Sequence, residues 1–374
     1  MIYLDNAATT AVYPECAEII NKYNTEKYFN PSALYSQSAE VAKDIKKARE
    51  NLLEHLGGNN GSLVFTASGT EADNIAFFCK SFKKNSRIVI SGAEHTAVYN
   101  TAVYLRSKDY DVAVCPVDAY GRLDLKEFEK TVDERTAFVS VIHVSNETGA
   151  VNDIEKIVAI SKKANPDCIV HSDGVQAFKK TAVNVGRFGV DLYSISGHKI
   201  HAPKGIGALY IKKGVNVNAF VHGGGQEYGI RSATENVSGI AAFSLAADII
   251  GKKTVNKDLL ISLKDFLTEN FDIMVNTPNG GVGNILSVAF AGIKGEVLLR
   301  CLEEQGIIVG TGSACSAKKG TNRIAAALGL PSKYSEGILR FSINENTQSS
   351  EIEELKKKIT AEGSKLLKFK PKHS

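Results

Sequence analysis

The amino-acid sequence predicts an α/β protein. A larger domain is built on a mainly parallel sheet, and a smaller α+β domain follows toward the C-terminal end. Three observations lead there. Between Ser62 and Ile211, short apolar β-branched runs alternate with helical patterns. Several of those runs, such as Ala137–Val144 (AFVSVIHV), are apolar almost throughout, which suits strands covered on both faces. After Lys252 the order of elements changes, which places a boundary near residue 252.

Taken in order, Ile2–Ala11 reads as an extended segment rich in Asp, Asn and Thr, and Asn30–Tyr35 (NPSALY) as a turn. Ser38 is placed to cap a helix reaching Leu56, because Ala39, Ala42, Ile45, Ala48, Leu52 and Leu56 recur at three and four residues and Gly57-Gly58 ends it. A strand over Ser62–Thr66 runs into the small-residue turn Ala67-Ser68-Gly69-Thr70-Glu71 and a helix to Lys80. A strand, a small-residue turn and a helix start suit an anion, although an ordinary capped turn has the same pattern. Strands then follow at Arg87–Ser91, Val112–Val117, Ala137–Val144, Cys168–Ser172, Val190–Tyr193 and Gly207–Ile211. The helices between them are read as Glu94–Ser107, Leu125–Val132 and Ile154–Ala164. Gly223–Glu227 is a glycine-rich loop before a helix over Ser238–Gly251. Beyond it come helices at Asp258–Asn270, Gly295–Glu304, Thr321–Leu328 and Glu351–Leu367, and strands at Asn284–Ala291, Ile307–Thr311 and Ile338–Ile343.

Composition excludes several classes. A hydrophobic fraction of 43% and a charged fraction of 23% over 374 residues describe an ordinary globular chain with room for two domains. A net charge of +4 is too small and too dispersed for sequence-specific nucleic-acid binding, the basic stretch Lys365–His373 being a local exception. No apolar run reaches the length of a membrane span, and MIYLDNAATT has no signal-peptide pattern. The six cysteines form no CxxC pair, so neither a zinc site nor a disulfide framework is expected, no metal is assigned, and a reducing cytoplasm is the expected setting.

The chemistry converges on strand ends. Gly69-Thr70, His95, Asn146, Asp173, Gln176 and Lys199 all fall just after predicted strands, where open α/β sheets bind ligands. The connector Ser194–Gly205 (SISGHKIHAPKG) carries Ser196, His198, Lys199 and Lys204. A lysine on a tight turn between two buried strands shifts its pKa readily and suits Schiff-base chemistry, while a solvated hairpin is the plainer alternative. His143 and His171 lie within strands and read as core or supporting groups. Cys79, Cys115 and Cys168 sit among apolar neighbours, and Cys301 reads as a buried helix residue. Cys315 differs in its small, polar surroundings, Gly312-Ser313-Ala314-Cys315-Ser316.

With these residues laid out, the chain resembles the NifS/IscS-type cysteine desulfurases, class V members of the fold-type-I pyridoxal-phosphate enzymes. The likeness runs from YLDNAATT at Tyr3 to ILRFSI at Ile343 through NPS, SGTEADN, EH, NETG, HSDGVQA, SISGHK, PKGIGALY, GGGQE and GSACS, all in order. It implies a large cofactor-binding domain over 17–252, with 1–16 and 253–374 forming the small domain that carries the cysteine loop. Lys199 would form the Schiff base with the aldehyde of pyridoxal 5'-phosphate. Asp173 would meet the pyridinium nitrogen, and Gln176 the ring phenolate oxygen. His95 would stack on the ring and move protons. Gly69, Thr70, Ser196 and His198 would cradle the phosphate, Thr234 would complete that site in the other subunit of a homodimer, and Asn146 would lie beside the ring. Arg340, with Asn30, would hold the L-cysteine carboxylate. Cys315 would take the substrate sulfur as a persulfide, release L-alanine and pass the sulfur to an acceptor protein.

The chain departs from the pattern at three places. Ser145 replaces the first of two asparagines, Tyr35 stands where a histidine commonly follows NPS, and Ala233 replaces the glycine before Thr234. The alternatives are a selenocysteine lyase or another class V pyridoxal-phosphate enzyme, and a non-catalytic relative that only binds partners. A short tail after Ile343 and the loop GSACSAKK point to a tRNA sulfurtransferase rather than the iron–sulfur scaffold as acceptor.

Overall fold

In the computed structural model, which describes residues 1–312 and 323–368, a seven-stranded sheet holds the larger part of the molecule together. Its spatial order is 61–66, 207–212, 192–196, 169–173, 136–140, 87–91, 111–115. Strand Gly207–Lys212 runs antiparallel to both neighbours, and the other six share one direction. Both faces are buried, as alternation along each strand makes plain. Val89, Val139 and Tyr193 enter one core with Leu52, Phe128, Ile157 and Phe243. Their chain neighbours Ile88, Phe138 and Leu192 enter the opposite core with Ile75, Phe77 and Val98. Helices Ser36–Leu56, Ile154–Ala164 and Val237–Ile250 supply the first layer, and Gly69–Phe77 and Thr96–Arg106 the second.

A separate core lies around a three-stranded antiparallel sheet of Ile273–Val275, Ile285–Phe290 and Ile338–Ser342. Leu263, Leu298, Phe341, Leu355 and Ile359 fill it from that sheet and from helices Asp258–Asn270, Gly295–Glu304 and Ser349–Lys368. Leu4 belongs to this core because strand Ile2–Leu4 pairs in parallel with Ile307–Val309. The N-terminal segment then turns toward the larger sheet, where Thr10 N–H donates to the His198 carbonyl and Tyr13 N–H to that of His201.

Most expected elements occur, and their altered ends have local causes. The strand expected over 137–144 stops at Ser140, and the Ile142 N–H is taken by the Glu94 carboxylate at 2.8 Å instead of a neighbouring strand. The strand expected to end at Tyr193 spans Leu192–Ser196, since Ser194, Ile195 and Ser196 pair with Leu209, Ala208 and Gly207. The polar connector is therefore shorter than expected and opens with a 3₁₀ turn at Gly197–Lys199. Helix Gly69–Phe77 begins two residues early, because Ser68 Oγ accepts from Glu71 N–H at 3.1 Å and the Glu71 carboxylate accepts from Ala67 N–H at 2.7 Å. Helix Ser36–Leu56 ends at Gly57 with φ 62°, a left-handed stop that glycine adopts without strain. Helix Pro14–Thr25, with proline in its first turn, and strand Ile273–Val275 carry no expectation from the sequence. Of the helix expected over 321–328, Arg323–Ala327 is described.

Candidate active site

Six parallel strands direct their carboxyl ends to one edge of the sheet, and a cavity of about 530 Å³ opens there. Gly69, Thr70, His95, Asn146, Asp173, Gln176, Ser196, His198, Lys199 and Arg340 all line it. Residues far apart in the chain meet because each follows a strand of the same direction, and Arg340 enters from the three-stranded sheet. Asn30 and Thr234 are exposed and do not line this cavity. Asn30 Oδ1 accepts from Ser32 N–H at 2.9 Å, which shapes the NPS turn. Cys315 lies outside the described residues.

Lys199 projects from the 3₁₀ turn, and its Nζ donates to the carbonyls of Ala7 and Ala8 at 2.7 Å each. Burial first, and then the Arg340 guanidinium, lower its pKa to about 8, against the opposing pull of Asp173. A lysine so shifted holds a useful fraction of free amine near neutrality, as attack on an aldehyde requires. Asp173 is 3% exposed. Burial pushes its carboxyl up, while His95, the Val175 N–H at 2.9 Å and Lys199 favour the carboxylate. His95 caps helix Thr96–Arg106 by accepting the Ala97 N–H on Nδ1 at 3.2 Å. A ring that accepts on Nδ1 is neutral and carries its proton on Nε2. Burial, the largest influence on this ring, lowers its pKa and favours the same form. His198 is lowered to about 4 by burial and the nearby lysines, and its Nδ1 lies 3.2 Å from Thr9 Oγ1.

Arg340 is buried and committed on two sides. Nη1 donates to the Asn146 carbonyl at 2.7 Å, and Nη2 to Asp5 Oδ1 at 2.8 Å. Its Nε has no hydrogen-bond partner among the described residues. Gly310 makes this approach possible, since a Cβ there would stand 2.7 Å from Asp5 Oδ1 and 3.0 Å from Arg340 Nη2. Asn146 Nδ2 is held by Glu147 at 2.8 Å. At the departure Ser145, the side-chain oxygen accepts from the Glu147 and Thr148 N–H groups at 3.3 and 3.2 Å, so serine shapes the turn.

Several lining residues carry no expectation from the sequence reading. Asp73 and Glu94 are 1% and 0% exposed, and each has one carboxyl oxygen without a hydrogen-bond partner among the described residues. Burial raises Asp73 well above the carboxylate range, reinforced by Asp173, and pushes Glu94 up to about 8. Asp73 lies one helical turn beyond Gly69 in SGTEADN and Glu94 precedes His95, so both were present in the motifs as signals. Arg323, also on the cavity wall, donates to the Gly92 carbonyl at 2.8 Å and to that of Glu94. Donor atoms of Asp73, His95 and Asp173 lie within 4.8 Å of one another. Burial raises both acids of this trio, Asp73 the more strongly, and Lys199 adds positive charge nearby, which together weigh against a bound metal ion. His143 and His171 are buried outside the cavity wall, at 2.7 Å from Tyr193 OH and 2.8 Å from Ser140 Oγ respectively. Cys79, Cys115 and Cys168 are buried, whereas Cys301 is half-buried on its helix.

These residues fit a phosphorylated pyridine aldehyde. Ser196 Oγ is buried beside the start of helix Gly69–Phe77 with no hydrogen-bond partner among the described residues. A Cβ at Gly69 would meet Val175 Cγ2 at 2.6 Å, so glycine there lets the helix start lie against Val175 and Ser196. An amine nucleophile and a buried carboxylate share the same cavity.

A family model, aminotransferase class-V, matches residues 2–355. The chain is 37% identical over 369 residues to "Cysteine desulfurase" of Trichormus azollae, covering 94% of this chain and 90% of the relative. It is 33% identical over 362 residues to "Cysteine desulfurase IscS" of Dictyoglomus turgidum, covering 94% and 91%. A solved "NifS-like protein" superposes with a TM-score of 0.89 at 34% identity over 97% of this chain and 99% of the other. A matched family model over nearly the whole length, together with such relatives, places this chain in the aminotransferase class-V family, among its NifS/IscS-type cysteine desulfurases.

Proposed function

We infer that the protein is an L-cysteine desulfurase that uses pyridoxal 5'-phosphate. The observation that carries this reading is the meeting of Lys199, Asp173 and His95 in one cavity, in a chain of this family. Lys199 would hold the cofactor, Asp173 its ring nitrogen, Gln176 its ring oxygen, and Gly69, Thr70, Ser196 and His198 its phosphate. When bound, the cofactor supplies an electron sink for the substrate carbon skeleton. Lys199 moves a proton at the substrate α-carbon, since its amine lies near its titration point. His95, neutral with its proton on Nε2, serves as a second proton carrier. Arg340 orients the substrate carboxylate with its Nε, which has no partner among the described residues, and Asn30, exposed in one chain, would assist it. The thiolate of Cys315 attacks the substrate sulfur. As the S–S bond forms, the C–S bond breaks and its electron pair stays with the carbon skeleton. Protonation of carbon then yields alanine and leaves a persulfide on Cys315.

We assign the larger domain to 17–252 and the smaller to 1–16 with 253–374; two separate cores support the division, although Tyr13 and Cys16 pack into the larger one. A homodimer is supported by Thr234, exposed in one chain and thus free to complete a neighbour's phosphate site. Exposed apolar side chains at Tyr104, Phe220 and Tyr228 add surface that a second copy can cover. Among the described residues no helix is long and apolar enough to cross a membrane. The unpaired cysteines support a cytoplasmic setting. The sulfur acceptor is a protein, and the loop GSACSAKK favours a tRNA sulfurtransferase over an iron–sulfur scaffold. Sulfur-labelled cysteine tests the reading. Wild type should yield alanine and labelled protein, Cys315→Ser should keep the cofactor spectrum without protein label, and Lys199→Ala should yield neither product. Label retained on Cys315→Ser would move the sulfur site elsewhere. Turnover of selenocysteine with none of cysteine would make the protein a lyase of the selenium compound.

A further inference from the structure

Gln176 is a side chain with two unlike ends, and only its NH2 end can donate to an oxygen of a ligand. Which end faces the cavity is decided by its neighbours. Gln176 is 2% exposed, and its Nε2 donates to the Ala7 carbonyl at 2.7 Å. Its Oε1 accepts from Lys180 Nζ, also at 2.7 Å. A protonated amine only donates and a carbonyl only accepts, so both contacts select the same orientation. Gln176 lines the large cavity, whereas Lys180 does not. Lys180 instead lines a smaller cavity of about 180 Å³ behind it, shared with Lys199.

Lys180 has an unusual setting for a cation. The charged groups that act on it, Lys199 and Arg340, are both positive, and with burial they lower its pKa to about 7. Its neighbour Lys179 adopts φ 63°, so the two consecutive side chains diverge, and Lys179 Nζ lies 3.1 Å from His55 Nδ1. An amine kept beside two cations at a stability cost, with its hydrogen bond spent on a cofactor-facing amide, points to a role carried through that amide.

We propose that Lys180 is a positioning residue that locks the Gln176 amide with its NH2 end toward the cofactor ring oxygen. The inference rests on the reading of Gln176 as the group that meets this oxygen. Without Lys180 only the Ala7 carbonyl holds the amide, which then turns more readily to present its carbonyl end, and that end repels a phenolate. A hydrogen bond to that oxygen tunes the proton affinity of the lysine-bound cofactor, which a visible-absorbance titration reads.

The test is a double-mutant cycle on the cofactor-loaded protein, with the titration midpoint of the visible band as readout. Gln176→Leu and Lys180→Met should each move the midpoint in the same direction by about half a pH unit or more. The double variant should match Gln176→Leu alone. Far-UV circular dichroism and thermal melting identify folded variants, and Lys180→Gln provides a second probe with a neutral polar side chain. An unmoved midpoint in Gln176→Leu would remove the reading of Gln176. Movement there, with none in folded Lys180→Met and Lys180→Gln, would overturn the positioning role alone. An equal additional shift from Lys180→Met in the Gln176→Leu background would also overturn it, because Lys180 would then act by charge.

Discussion

Glu94 makes the stability of this protein depend on pH in a direction opposite to that of most surface acids. Its side chain is 0% exposed, one oxygen accepts from Ser91 Oγ and from the Ile142 N–H, and the other has no hydrogen-bond partner among the described residues. Burial raises its pKa from 4.5 to about 8, the two hydrogen bonds opposing this only in part. An acid whose pKa is raised on folding binds more protons folded than unfolded between those two values. Stability is therefore fullest below pH 4.5 for this group and falls as pH rises through that window. Linkage puts the loss at about 3 kcal/mol by pH 7 and about 5 kcal/mol by pH 9, relative to a group that does not titrate. Glu94→Gln keeps the shape and an acceptor for the Ile142 N–H but cannot ionise. The assay is denaturant unfolding of wild type and variant, both loaded with cofactor, at intervals from pH 5 to pH 9. Subtracting one from the other isolates the Glu94 contribution from other titrating groups. The variant should gain on wild type by about 2–3 kcal/mol between pH 5 and pH 7. A difference that stays flat within about 0.5 kcal/mol, or that moves the other way, would refute the assignment of a buried, protonated Glu94.

Three further outcomes are expected. Asp173→Asn should bind cofactor and lose roughly 100-fold or more in alanine formation, because a neutral amide cannot stabilise a protonated ring. Activity within a few-fold of wild type would contradict that role. Arg340→Lys should raise the KM for cysteine about 10-fold or more, since one ammonium cannot replace a fork that also spans Asp5 and the Asn146 carbonyl. A change confined to kcat would place Arg340 outside substrate binding. Mixing Lys199→Ala with Thr234→Ala subunits should restore part of the activity that each lacks alone, and a fully active monomer in sedimentation would exclude a shared site.

Much of the fold and of the site was legible in the chain itself. Alternation of apolar strands with helices determined a doubly covered, mainly parallel sheet, because a strand buried on both faces has no polar side to show. The same alternation placed Gly69, His95, Asp173 and Lys199 after strands, and strands of one direction bring such residues to one edge. Motif order along the chain was enough to identify the family. Tertiary structure decided what depends on contacts between distant segments. The strand at 136–140 is cut short by a carboxylate from Glu94, which no local propensity foretells. Lys199 meets the carbonyls of Ala7 and Ala8 only because the N-terminal segment pairs with Ile307–Val309 and then crosses to the larger sheet. The raised acids Asp73 and Glu94 look like ordinary charged residues in sequence, and burial beside Asp173 is what changes their chemistry. The orientation of Gln176 belongs to this class as well, since an amide has no preferred end until Lys180 and the Ala7 carbonyl close on it from opposite sides.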